Sequence, residues 1–527
     1  MKTNHIFKAL CATALLASVT SCNDWLKEEA PGKTGLEDFM TSGETAIQTV
    51  NAAYTPLAWE YNSTYFPEWF IGDVASDDAL KGGQGTTDMA DVYDIENFKT
   101  NANNGLLRDF YRAQYQGISR CNLAIKLIAD LAPDETMSQK RKDCLIGEAY
   151  FMRAYYYFRL VRIFGGVPYV DFVIDSSDRW QQPRATAKEI YEKIISDLLI
   201  AEPLLYNKKD YADEDLGRAT KGAAQAMLMK TYLYMHDYEN AYLWGKTFME
   251  QQKKTGEYSL CQNYADNFTL AGENGPESVF EIQYMAEPTS DYGEGFGFTR
   301  GTFTTILTRS RAASLGANAG WGFNHPTKNL YDEFEAGDPR RDVTIGKPTD
   351  EEVENNVDLT YLGSPYYSNK TSFYENGEFV ALDHATRSPM NYRLIRLSDV
   401  MLMYAEAALE SGKDVGIAKT MLNEVRGRVG MPQFPGYLGY RDNTDDLRKA
   451  IRHERRVELA MEGHRWFDLC RWGIAYDVMD KDNGSYGKSE TEEARAEMAS
   501  FVKGKNELFP LPAEEINLNP MEQNPGY

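Results

Sequence analysis

Apolar positions recur at helical spacing from about residue 44 to 250 and again from about 398 to 475. The clearest unit covers residues 221–249. There Ala224, Met227, Leu228, Thr231, Tyr234 and Met235 share one face, and after a turn at Asp237 so do Tyr238, Ala241, Tyr242, Gly245, Phe248 and Met249. This pattern predicts two antiparallel helices, with Ala241 and Gly245 small enough to let the second lie close to the first. Residues 398–429 predict a second pair: Met401, Tyr404, Ala405 and Ala408 form a stripe, Ser411-Gly412 stops the helix, and Ala418, Met421, Leu422 and Val425 form the answering stripe. A third helix, from about 145 to 164, ends at Gly165-Gly166-Val167-Pro168, a capping glycine followed by proline. Between about 262 and 392 the period disappears among Gly, Ser, Thr, Asn and aromatic residues. Short strands fit residues 278–284 and 392–397; the rest predicts long ordered loops, whose commonest use is binding.

The turn His236-Asp237-Tyr238-Glu239-Asn240-Ala241 resembles the turn inside a tetratricopeptide helical pair. The fold class expected is therefore mainly α, with tetratricopeptide-like helical pairs forming a scaffold and a loop-rich insertion carrying short β-strands. The first 21 residues read differently. Lys2 and Lys8, an apolar run from Ala9 to Val19 and small residues leading directly to Cys22 describe a signal peptide whose cleavage point resembles a bacterial lipobox. Cys22 is then the acylated N-terminus. The apolar run falls short of the roughly 20 residues that a spanning helix needs, so acyl chains supply the tether.

Charge narrows the partners. The chain holds 56 basic and 79 acidic residues, and without Lys2 and Lys8 the net charge is −25, which argues against nucleic acid and anionic membrane surfaces. Cys121, Cys144, Cys261 and Cys470 are far apart with no CxxC spacing, so zinc is not indicated and no disulfide framework is needed; a Cys121–Cys144 bridge stays open. Catalytic constellations are scarce: no GxSxG, HExxH or Walker A occurs, and His453 and His464 are too far apart for a helical zinc pair. Gly82-Gly83-Gln84-Gly85 lacks the lysine of a phosphate loop and reads as a turn. Asp480-Lys481-Asp482-Asn483-Gly484 puts Met479 at the first ligand position of an EF-hand, which rules that loop out. No metal or cofactor site is indicated, although a structural calcium ion stays open. Adjacent acids such as Asp77-Asp78 and Glu514-Glu515 single out no hydrolytic pair.

Four segments together resemble the SusD/RagB family of outer-membrane nutrient-binding lipoproteins. They are Cys22-Asn23-Asp24-Trp25-Leu26; residues 153–168, from Arg153-Ala154-Tyr155 to Gly165-Gly166-Val167-Pro168; residues 452–473, containing Arg452-His453-Glu454-Arg455-Arg456 and Glu462-Gly463-His464-Arg465-Trp466-Phe467-Asp468; and Phe509-Pro510-Leu511-Pro512 with the closing Gln523-Asn524-Pro525-Gly526-Tyr527. Residues 72–78 and 337–340 add to the likeness. It implies a signal peptide over 1–21 and one family domain over 22–527, divided into an N-terminal helical part (22–260), a loop-rich ligand-binding region (261–392) and a C-terminal helical part (393–527). It further implies a surface lipoprotein of the outer membrane, not an enzyme, that binds oligosaccharides and delivers them to a SusC-type TonB-dependent transporter. A peptide-binding RagB-like protein is the alternative, followed by a lipid-anchored protein-binding scaffold and a glycoside hydrolase.

Read from the residues alone, the charges of 452–465 interlock as short-range pairs such as Arg455 with Glu458, and Phe151, Tyr155 and Phe158 pack between helices. A glycan site needs exposed aromatic rings beside polar side chains. Two loops offer that mixture. One carries Asp78, Lys81 and Gln84; the other carries Tyr292, Phe296, Phe298, Trp321 and Asn324, with Gly320 and Gly322 on either side of the indole.

Overall fold

A computed structural model describes residues 40–60, 68–174, 176, 179–286, 300–311, 319–347, 364–375, 377–385, 387–487 and 492–527. Cys22, Tyr292, Phe296 and Phe298 lie outside the described residues. The principal helices are α1 (Gly43–Tyr54), α2 (Gly105–Asp130), α3 (Gln139–Phe164), α4 (Ala187–Leu204), α5 (Lys221–Tyr234), α6 (Tyr238–Thr255), α7 (Leu397–Glu410), α8 (Val415–Arg428) and α9 (Thr444–Leu459). Each begins where a short polar side chain can accept an otherwise orphaned backbone N–H, except α7. Ser42 and Thr186 form capping boxes, and Asn104, Ser138, Thr220, Asp237, Asp414 and Asn443 cap the others. The Ser138 cap explains why α3 starts six residues before the apolar stripe that predicted it.

Packing is sequential. α2 lies on α3, α3 on α4, α4 on α5, α5 on α6, α6 on α7 and α7 on α8, with α1 against α2 and α3. The array is therefore continuous although its two halves are separated in sequence by residues 256–396. Gly245 explains the join: a Cβ there would stand 2.3 Å from the Tyr404 ring of α7 and 2.9 Å from the Met229 sulfur. The glycine thus seats the next helical pair as well as its own partner. Four two-stranded sheets interrupt the helices. The two expected strands, β2 (Ser278–Ile282) and β4 (Tyr392–Arg396), pair antiparallel with each other, and β1 (Ala79–Gly82) pairs antiparallel with β3 (Phe323–Pro326). Phe151 and Tyr155 pack on Phe280 of β2, and Phe158 on Tyr191 and Tyr234, so the stripe packs against a strand as well as helices. Among the described residues, Cys121, Cys144, Cys261 and Cys470 are unbridged.

The recurrent motifs hold one another. Phe509 donates its N–H to the Ile163 carbonyl at 2.8 Å, and the Asn524 amide reaches the carbonyls of Phe164 and Phe509 at 3.0 and 2.7 Å. Trp466 is buried among Phe98, Phe501 and Phe509. The C-terminal segment is thus the lid of the core at the end of α3.

α9 and the residues just after it carry a dense run of buried charge, and here the short-range pairing read from the sequence fails. Arg455 reaches Asp399 and Asp468 at 2.8 and 3.1 Å rather than Glu458. Glu458 accepts from Arg340, Arg396 and Arg428 at 3.0, 3.0 and 2.6 Å. Glu454 binds Arg340, and also Arg426 at 2.7 Å; Glu462 binds Arg396 and Lys370, both at 2.8 Å. The physical reason is burial: α9 has protein on nearly every side, so its charges find partners on other elements, and the arginines form no patch for an acidic ligand. Desolvation favours protonated Glu458, yet the surrounding guanidinium groups hold its carboxyl far below the usual range. Similarly, burial disfavours charge on His453, but hydrogen bonds to Glu333 and Glu335 at 2.7 and 3.3 Å push its pKa up to about 9.

Replacing Glu458 with alanine removes the one acid that three buried cations share, so Glu458→Ala should lose about 3–5 kcal/mol in urea unfolding; Glu458→Gln, which keeps an acceptor, should lose less. The His453 contribution, on the order of 3 kcal/mol, is complete below the unfolded pKa of about 6.5 and disappears as pH rises through about 9. Unfolding measured from pH 6 to 9.5 should therefore show a decline that His453→Gln flattens; equal slopes for the two proteins would refute this.

Candidate functional site

The pairing of β1 with β3 brings together the two loops that offered a binding mixture. Ala79 faces Pro326, Leu80 faces His325 and Gly82 faces Phe323. Beyond the strands, Gly83 donates its N–H to the Gly322 carbonyl at 2.8 Å. This approach needs glycine: a Cβ on Gly82 would lie 2.0 Å from the Gly322 oxygen, and both Gly82 and Gly83 have positive φ, at 74° and 75°. The turn expected at 82–85 is present, and its use is to let two backbones touch.

Trp321 stands at the edge of this pair with 45% of its surface exposed. Its backbone is laced to residues 306–310: Gly320, Trp321 and Gly322 donate their N–H groups to the carbonyls of Ser310, Ile306 and Arg309 at 2.7, 2.9 and 3.0 Å. Arg311 donates to the Trp321 carbonyl at 3.1 Å. The Phe303 ring meets the indole edge-on, with centroids 5.0 Å apart and planes at 90°. Phe303 is placed in turn by Glu60. That buried carboxylate accepts from the N–H groups of Phe303 and Thr304 at 2.7 and 3.1 Å, the Thr302 hydroxyl at 2.7 Å and the Tyr284 hydroxyl at 2.7 Å. Burial pushes the Glu60 pKa up, against the pull of these donors. An indole backed this way is a rigid, half-exposed platform.

Gln84 is the other expected residue at the surface, with its N–H donating to Asp88 at 2.8 Å. Asp78, Lys81 and Asn324 are buried and bonded within the protein, although the Asn324 Oδ1 has no hydrogen-bond partner among the described residues. Asp78 receives the Arg456 Nε at 2.8 Å. The Lys81 ammonium donates to the carbonyls of Gly82, Gly85 and Asp88 at 2.7, 3.1 and 2.8 Å, which closes the turn bearing Gln84. The Asn324 amide donates to Asp73 at 3.1 Å. Burial raises the Asp73 pKa to about 7 despite hydrogen bonds from Asn324 and Gly463. These three residues brace the loops on which Gln84 and Trp321 stand. Composition cannot separate a polar residue that faces a ligand from one that holds the frame.

The brace runs back to α9. Gly72 lies on Gly463 so closely that a Cβ would be 2.1 Å from its carbonyl oxygen, and Asp73 accepts the Gly463 N–H at 2.9 Å. Asp77 takes Arg465 at 2.7 Å and Arg456 at 3.0 Å. Phe303, Glu60 and Arg311 were missed by sequence reading, and nothing local marks them: each acts through a partner remote in the chain or in an irregular loop.

A profile described as the SusD family matches residues 245–527, more than half of the chain, and one described as starch-binding associating with outer membrane matches residues 24–233. The curated SusD-like protein P2 of Formosa agariphila is 27% identical over 97% of this chain and 98% of its own. Among solved structures, a laminarin binding SusD-like protein is 28% identical with a TM-score of 0.76, covering 92% of this chain and 100% of that one. Surface glycan-binding protein A from Bacteroides thetaiotaomicron in complex with laminarihexaose is 25% identical with a TM-score of 0.77 over the same shares.

Gly82→Ala should separate the strand ends and cost roughly 1–3 kcal/mol. Hydrogen exchange at the Gly83 amide reports it directly: faster exchange than in the parent protein is expected, and unchanged protection would contradict the close approach.

Proposed function

This chain belongs to the SusD family, and we propose that it captures oligosaccharides on the Trp321 platform at the cell surface and delivers them to a SusC-type TonB-dependent transporter. The observation that carries this reading is the half-exposed indole of Trp321, edge-backed by Phe303 and beside the exposed Gln84 loop. Sugars present apolar C–H faces that stack on aromatic rings and hydroxyls that need polar partners, so a fixed indole beside an amide suits them. The solved relatives named for laminarin and laminarihexaose support the same ligand class. A platform held before the ligand arrives loses little freedom on binding.

Binding without turnover is the reading that the nearby acids support. The carboxyl groups near the platform with raised pKa values, Asp73, Asp78 and Glu60, are buried and hydrogen-bonded into the frame. None of the three is placed to exchange a proton with a ligand on the indole face. No described helix is long and apolar enough to cross a membrane, which fits attachment through acyl chains on Cys22 and an outer-membrane location.

Calorimetry of the full chain in detergent should find binding to at least one member of a panel of laminari-, malto-, cello- and xylohexaose. Trp321→Ala should weaken it by about tenfold or more without moving the thermal midpoint. Absence of binding across the panel, or a Trp321→Ala protein that binds as well as its parent, would defeat the reading. Affinity purification from solubilised outer membranes should recover a large β-barrel with the chain.

A further inference from the structure

A groove of about 580 Å³ opens between residues 168–174 and 179–182, which follow α3, and the C-terminal helix Ala513–Leu518. Its lining shares no residue with the Trp321 platform. Trp180 stands on one wall with 69% of its surface exposed, more than any other tryptophan among the described residues, and Leu518 stands on the other at 67%. Large apolar groups held out in water around a formed depression mark a contact site more often than a surface accident.

The walls are tied together without a ligand. Gln181 donates its amide to the Leu518 carbonyl at 3.2 Å, Asn519 to the Gln182 carbonyl at 2.7 Å, and Gln182 to the Arg179 carbonyl at 2.9 Å. Arg184 adds a bond to the Glu522 carbonyl at 2.7 Å. On the inner side, Tyr115 donates its hydroxyl to the Pro168 carbonyl at 2.6 Å.

The chemistry of the rim selects among occupants. Each of the three amide groups spends one of its two N–H donors on a backbone carbonyl, which leaves the second N–H and the oxygens of Gln181, Gln182 and Asn519 to meet the donor and acceptor faces of hydroxyl groups. Glu515 is the one ionisable carboxylate in the lining, and Arg112 already pairs with it at 3.2 Å. The groove therefore calls for a neutral ligand with hydroxyl donors and an apolar face. A wholly apolar segment of another protein would strip water from three acceptors and return no donor.

We propose that the Trp180 groove is a second oligosaccharide-binding site, separate from the Trp321 platform. The proposal rests on the glycan reading above. Two sites on one chain would let a single polysaccharide be held at two points, raising its residence without tighter contact at either.

The test titrates the same four hexasaccharides into the full chain and its Trp180→Ala, Trp321→Ala and doubly substituted forms. Both indoles are exposed, so unchanged thermal midpoints should accompany each substitution. The expected result is two classes of site in the parent protein, one weakened about tenfold or more by each single substitution and neither left in the double form. A Trp180→Ala isotherm identical to the parent's, or a Trp321→Ala protein with no remaining binding, overturns the second site and leaves the first intact. No binding by the parent protein overturns both. If Trp180→Ala reduces only the recovery of the outer-membrane β-barrel, the groove belongs to a protein partner and the proposal fails.

Discussion

A buried charge must find its counter-charge, and in this protein that requirement converges on Glu458. The carboxylate is inaccessible to water and receives three guanidinium groups from three separate stretches of chain: Arg340, Arg396 and Arg428. Those arginines share further acids, namely Asp338, Glu454, Glu277 and Glu462. Such a cluster is no source of large net stability, since desolvation offsets much of the attraction. Its effect is on arrangement: shifting any one strand or helix leaves several charges in a low-dielectric interior without partners, so competing packings of the same helices are strongly disfavoured.

The binding surface inherits that constraint. Glu277 immediately precedes β2 and Arg396 ends β4, and their ion pair at 2.6 Å ties the two ends of the insertion together. On the other side, Arg456 and Arg465 hold Asp77 and Asp78, and these lead straight into β1. β1 and β3 then carry the charge-fixed geometry outward to Gly82, Gly322 and Trp321. From a carboxylate buried at the centre to an indole half in water, each step is a contact between residues far apart in sequence.

That remoteness explains what could be read in advance. Helical pairs were legible because their information is local: caps, stripes and stops lie within a few residues of one another. β2 and β4 were legible as strands but not as partners, being separated by more than a hundred residues. β1 and β3 were not legible at all; at four residues each, ending in glycine and in proline, they are too short to show alternation. Pairing Arg455 with Glu458 applied a rule for solvated helix faces to a buried helix. Of the candidate site, the exposure of Trp321 was legible in the glycines on both sides of it. Asp78, Lys81 and Asn324 drew notice for loops that the β1–β3 pair does bring together, but their side chains turn inward to brace those loops.

The proposed ligand platform stands on the insertion rather than on the helical array, a placement that agrees with how each tolerates change. The array is a chain of nearest-neighbour contacts, in which Gly245 seated against Tyr404 leaves no room for variation. A loop clamped at its base is different: the entropy of closing it grows only with the logarithm of its length. Residues can therefore be added or exchanged at small cost in the loops between the insertion's anchors, provided that Glu277 with Arg396, Arg340, Lys370 and the β1–β3 pair keep their places. What the insertion lacks in regular hydrogen bonding it obtains from buried acids such as Glu60, which gathers five donors from Tyr284 and the turn at 302–304. The array and its charge cluster thus fix the frame and pin the insertion at a few points, Arg340, Lys370 and β3 among them, and the loops between those points are the part of the chain that the frame dictates least.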